Sequence, residues 1–270
     1  MPSFDSSSRY RPYLLFGVAF ILLITLGSVF QTLLGLHLGL IASQVFVILA
    51  VALMYRRLYE PRKEGHWPSL KKTGIPVPLL ALSMVAAVAI GFMANVLGSL
   101  TVELIPGLRE MAQAYQEVIR EIMLAETPTH VLLGILAVTV AAPICEEILF
   151  RGTILPEQRR HETATKAVIL NGVLFSAMHV NPMFFVPLAI IGAYLAHLTL
   201  STGSLWPAIL GHFSINAVNG VVLPRIAPEM AMPEEIVLSE VLIALAITGP
   251  LAILLWWFVT LKIRDHRGSD

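Results

Sequence analysis

Two adjacent carboxylates, Glu146 and Glu147, stand in a run otherwise fit for lipid, and Arg151 follows four residues after the second. A charge at the centre of a membrane helix costs roughly 2.5–3.5 kcal/mol on insertion scales, so a pair calls for a reason. On a helix Glu147 and Arg151 are i,i+4 neighbours with the acid N-terminal to the base, the favourable order, and this pairing neutralises Glu147 locally. Glu146 lies about 100° away round the helix and is free to face something else. Taken alone, the stretch also reads as a structural Glu–Arg clip at a helix end, with Glu146 reaching for headgroups.

Histidine and amide side chains supply the rest. Phe175 and His179 are i,i+4 on one apolar stretch, with Asn171 on nearly the same face. His212 and Asn216 are i,i+4 on another, with Asn219 close to the same stripe. Any one of these histidines alone reads as a helix–helix hydrogen-bonding residue. A carboxylate pair, a His and a His/Asn pair on three separate stretches point instead to one site, and the set suits hydrolysis. A glutamate kept in an apolar site can serve as general base, while a neighbouring His orients the same water or shuttles its proton. A His and an Asn one turn apart aim two side-chain donors at one point, as an oxyanion hole needs. The sequence has no G-x-S-x-G elbow, no H-E-x-x-H, and no Asp pair set in two spans. His37, His66, His161 and His266 are loop or end residues, His130 begins a span, and His197 is a minor candidate. The single cysteine, Cys145, excludes an intrachain disulfide framework and a Cys-rich metal site. Beside a carboxylate in an apolar setting it reads as packing rather than as a nucleophile.

The elements that must hold these side chains are membrane helices. Of 270 residues, 56% are hydrophobic and 13% charged, and mean hydropathy is +0.77. A soluble domain carries about 25% charged residues, so an integral membrane protein is expected. Eight spans follow from the apolar runs: Tyr13–Leu36, Leu40–Leu58, Val77–Val102, Thr129–Leu155, Thr163–Val180, Met183–Leu200, Leu205–Leu223, and one from beyond Glu234–Glu235 to Leu261. The first is too long for a signal peptide. Trp256 and Trp257 sit near an interface on the last. Between the third and fourth spans, Gly107–Glu126 places Leu108, Met111, Tyr115, Val118, Ile119 and Ile122 on one helical stripe and charged or amide residues on the other. It reads as an amphipathic helix on the membrane or capping the bundle, or as a helical connector. The fold class is thus all-α, a transmembrane bundle of about eight helices plus one amphipathic helix, forming a single domain over 1–270 with its motifs in 129–220.

With the N-terminus inside, eight spans collect Arg9, Arg11, Arg56, Arg57, Arg62, Lys63, Lys71, Lys72, Arg159, Arg160, Lys166, Lys262, Arg264 and Arg267 on one side. The other side keeps Arg109, Arg120 and Arg225. By the positive-inside rule both termini are cytoplasmic, in a bacterial inner membrane on this reading. Placement is less simple: Glu146 lies ~13 Å before Leu155 and His179 ~24 Å after Thr163, too deep to meet it unless the fifth span starts later or the basic loop dips. A shared site is expected within the hydrocarbon slab, reached from the cytoplasmic side or laterally.

The motifs E-E-x-x-x-R (Glu146, Glu147, Arg151), F-x-x-x-H (Phe175, His179) and H-x-x-x-N (His212, Asn216), with T-G-S-L-W-P-A-I-L-G-H ahead of the third, resemble the CAAX protease and bacteriocin-processing family, which includes the Ras-converting CAAX endopeptidase and bacterial Abi-type proteins. The resemblance covers about Thr129 to Gly220. It implies an eight-helix intramembrane endopeptidase in which Glu146 is the general base aided by His179, His212 and Asn216 hold the oxyanion, and Glu147, Arg151 and Phe175 support them. Such proteins have been described both as zinc metalloproteases and as metal-independent glutamate proteases. Zinc would take Glu146, His179 and His212 as ligands; we expect no cofactor, because a ligating His needs a second-shell acceptor and Glu147 is engaged by Arg151. Expected partners are the bilayer and a peptide or membrane-protein substrate, with no nucleic acid. A non-catalytic immunity or scaffold protein, and an ion or proton carrier, are the alternatives.

Overall fold

The computed structural model describes residues 6–59, 75–125, 127–227 and 237–268. The basic loop's Arg62, Lys63, Lys71 and Lys72, together with His66, Glu126 and the Glu234–Glu235 start, lie outside the described residues. Nine helices and no strand are found among those described: α1 Ser6–Leu34, α2 Leu36–Tyr59, α3 Val77–Leu104, α4 Arg109–Met123, α5 Pro128–Arg159, α6 Ala164–Met178, α7 Phe185–Thr202, α8 at 206–226 and α9 Leu238–Gly268. This is the expected bundle with its amphipathic helix, α4, in the expected place. The chain is an integral membrane protein. Large side chains such as Leu14, Ile21, Phe46, Ile243, Ile253 and Trp257 are exposed on its outside, where lipid tails rather than water meet them.

Six helices are long and apolar enough to cross a bilayer: α1, α2, α3, α5, α7 and α9. Helix α6 is not, with 15 residues, or ~22 Å against a hydrocarbon core of ~30 Å. It ends at His179, and α7 begins only at Phe185. Helices α6 and α7 form the tightest pair, because Gly172 and Gly192 remove side chains where the backbones meet: a Cβ on Gly192 would come 2.8 Å from Gly172 Cα.

Helix α5 runs on to Arg159 rather than stopping at Leu155. Glu157 and Gln158, which read in sequence as loop residues, are buried, and Gln158 Oε1 accepts from Asn171 Nδ2 at 3.1 Å. The depth mismatch disappears with this boundary. Glu146 lies 13 residues from the end of α5 and His179 15 residues from the start of α6, ~20 and ~22 Å respectively.

Four π-helical turns interrupt the bundle: Gln44–Leu49, Leu136–Ala141, Phe150–Ile154 and Ala217–Val222. The last three each end two residues before a proline, Pro143, Pro156 and Pro224. Proline lacks the N–H and crowds the carbonyl of residue i−4; the wider turn relieves that crowding without breaking the helix.

The two ends of the bundle differ in charge. At one end Glu162 takes Arg9 at 3.2 Å and Lys166 at 2.7 Å, and Arg11 lies over the Tyr59 ring at 5.5 Å. At the other, His37 and His130 stack at 4.9 Å, Tyr115 of α4 meets Phe184 at 5.8 Å, and Arg225 donates to the Met123 carbonyl at 2.6 Å. Helix α4 thus caps the end remote from the basic residues. Of the alternatives for this segment, the cap is the one observed.

Candidate active site

A cavity of about 400 Å³ opens beneath α4, within the usual range for ligand sites. Glu146, Phe175, His179, His212 and Asn216 all line it. Its remaining polar lining comes from Gln44, Asn95, Ser99, Tyr115, Gln116, Asn181 and Asn219. On α2, α3, α6 and α7 the lining residues lie toward the end remote from Arg9, Arg159 and Lys166, whereas Glu146 and His212 lie nearer the basic end of α5 and α8.

Glu146 is buried. Its Oε1 accepts from Gln44 Nε2 at 3.0 Å, while Oε2 finds no partner among the described residues. Gln44 comes from α2, in a π turn, and sequence reasoning missed it: a lone Gln in an apolar run has no i,i+4 partner to flag it.

Glu147 faces away from the cavity and is fully buried. Arg151 Nη1 reaches its Oε1 at 2.8 Å, and Arg151 Nη2 donates to the Gly192 carbonyl at 2.8 Å. The same Oε1 lies 2.9 Å from His212 Nδ1. The sequence expectation that Glu147 serves Arg151 alone is thereby corrected: it also orients His212. A carboxylate paired with arginine accepts, so Nδ1 carries the proton and Nε2 presents a lone pair.

His179 caps the end of α6. Its Nδ1 lies 2.8 Å from the Phe175 carbonyl. A carbonyl can only accept, so Nδ1 is again the donor and Nε2 is left for the cavity. The next residue, Val180, has φ +48°, a left-handed conformation that strains a β-branched residue. Phe175 sits between the two imidazoles, with ring centroids 4.8 Å from His179 and 5.5 Å from His212, and it receives the Arg151 guanidinium at 4.6 Å. Asn216 donates one Nδ2 hydrogen to the Val138 carbonyl at 2.9 Å, a group within a π turn. Its second N–H remains.

Three other polar residues lie elsewhere. Asn171 bonds Gln158 and the Phe150 carbonyl, away from the cavity. His197 bonds Thr260 at 3.0 Å. Cys145 is buried packing in the apolar core.

The zinc alternative can be tested on the donors themselves. Both rings hand Nδ1 to an acceptor and keep Nε2, as zinc ligands do, so that objection no longer holds. Spacing decides otherwise: among the described residues no three His, Cys, Asp or Glu side chains converge closely enough to hold a metal ion. As placed, the described residues do not fit zinc.

Residues 128–218 match the sequence model of the family described as type II CAAX prenyl endopeptidase Rce1-like. The matched segment runs from the start of α5 into α8 and carries every motif residue, so the resemblance read from the sequence stands over this part of the chain. None of the curated proteins matches the chain, and none of the solved structures does.

Proposed function

We propose that the chain is an intramembrane endopeptidase in which Glu146 activates water without a metal. The observation that carries this reading is the convergence of Glu146, His179, His212 and Asn216, from three helices, on one cavity. Similarity of residues 128–218 to a protease family supports it.

Glu146 Oε2 takes a proton from water, and the His179 Nε2 lone pair orients that water. The water oxygen bonds to the carbonyl carbon, and the carbonyl oxygen becomes an oxyanion met by the second Asn216 N–H. His212 can donate from Nε2 only as the imidazolium, and Glu147 is placed to balance that charge. When the C–N bond breaks, Glu146 returns its proton to the amine.

The test is peptide cleavage by detergent-purified protein beside its Glu146→Gln form, with elemental analysis of active protein prepared in strong chelator. Turnover should fall roughly 10²–10⁴-fold in the variant with the fold intact. Full activity in Glu146→Gln ends the mechanism. Stoichiometric zinc that tracks activity, lost on stripping and regained on addition, would make the three residues ligands instead.

A further inference from the structure

We infer that the cavity takes an uncharged, extended peptide segment presented from the face opposite the basic residues, and disfavours a chain bearing a carboxylate near the bond. This rests on the peptidase reading and names its substrate class.

Charge is the first ground. Among the described residues no lysine or arginine lines the cavity, and the one carboxylate lining it is Glu146. The nearby guanidinium, Arg151, is fully buried and committed to Glu147 and the Gly192 carbonyl. An acidic side chain or a free C-terminus beside Glu146 would set like charges together, with no cation to offset them in a medium of low dielectric constant.

Hydrogen bonding is the second. Glu146 Oε2, Gln44 Oε1 and Asn219 Oδ1 are buried acceptors without a partner among the described residues. All three belong to the cavity lining. Unmet acceptors call for N–H donors, which an extended backbone carries at regular intervals and which its side chains need not supply. Apolar neighbours such as Ala94, Val138 and Ile191 suit uncharged side chains.

Location is the third. The lining residues of α2, α3 and α7 lie towards the ends remote from Arg56, Arg159 and Lys166, and α4 covers the mouth with Ala112, Tyr115, Gln116 and Ile119. Positive-inside bias puts the basic end in the cytoplasm. The cavity then opens toward the external face, where the outer end of a membrane-spanning or exported chain can reach it.

Two measurements test this apart from catalysis. The first is binding to the detergent-purified protein of fluorescent peptides whose central amide is reduced and cannot be cut. An uncharged sequence is compared with the same sequence carrying Asp beside the centre, and with one ending in a free carboxylate there. The uncharged peptide should bind at least ~tenfold more tightly; equal or tighter binding of the acidic forms overturns the proposal. The second is labelling of Val180→Cys and Lys166→Cys, each in a Cys145→Ala background, by a membrane-impermeant thiol reagent on intact expressing cells. Position 180 should label at once and position 166 only after permeabilisation; the reverse order overturns it. Intact binding and labelling with no turnover of a cleavable peptide would instead fail the peptidase reading.

Discussion

Replacing Arg151 by methionine would strand a carboxylate that has no exposure to solvent. Glu147 and Arg151 are both 0% exposed, and their 2.8 Å contact is the arginine's closest charge compensation. The change also removes the donor to the Gly192 carbonyl and the cation over Phe175. Breaking a buried pair by deleting one partner costs about 3–5 kcal/mol, which for a chain of this size is about 6–20 °C in Tm. In the double variant Glu147→Leu/Arg151→Met the charge leaves with its partner. Its stability should return to within about 1–2 kcal/mol of the parent, the remainder being the unserved Gly192 carbonyl. Turnover should stay down roughly 10²-fold, because His212 has lost the acceptor that fixes its ring. Thermal unfolding in detergent and peptide cleavage read the two effects separately. A single variant as stable as the parent, or a double variant no better than the single, would refute the reasoning.

Three further outcomes follow from packing and charge. Gly172→Ala should lose about 1–3 kcal/mol, since a methyl group there meets the Ala189 carbonyl and the Ala193 nitrogen; an unchanged Tm would mean that α6 and α7 do not pack this closely. Val180→Gly should gain about 1 kcal/mol, the relief of a left-handed valine less glycine's entropy, and a lowered Tm would count against the strain. Glu162 is held below the usual carboxylate range, first by the Lys166 hydrogen bond and then by Arg9. A depressed carboxylate stabilises above its ordinary unfolded value of about 4.3 and loses that contribution as pH falls through the folded one. The Tm advantage of the parent over Glu162→Gln should therefore be present at neutral pH and vanish in acid, and a difference independent of pH would contradict the clasp.

Helical spacing made much of this site legible. Glu147 with Arg151, Phe175 with His179, and His212 with Asn216 are each one turn apart, so the 3.6-residue period alone put each pair on one face. What joins the pairs was not legible. The contact between His212 and Glu147 spans 65 positions, and no local pattern records it. Gln44 carries no polar partner at helical spacing. The end of α5 was misread because Glu157 and Gln158 look like loop residues until Asn171 is seen bonded to Gln158. Asn171 itself was grouped with His179 by phase, yet it serves the backbone at Phe150. The prolines did hold a usable signal: three of the four π turns precede one.

Those turns have a consequence for chain length. A π turn holds one more residue than an α turn, so everything beyond it is rotated by about 100° relative to an unbroken helix. In α5 such turns lie on both sides of the carboxylates, at Leu136–Ala141 and Phe150–Ile154. Their angular setting is therefore decoupled from both ends of the helix. Removing a single residue there, Val140 for instance, would restore a regular spiral and leave Glu146 in nearly its present phase relative to Pro128 and the cap above it, because the turn's extra residue and its missing rotation cancel. A point deletion in a regular turn of the same helix has no such reserve and swings everything beyond it by about a quarter-turn.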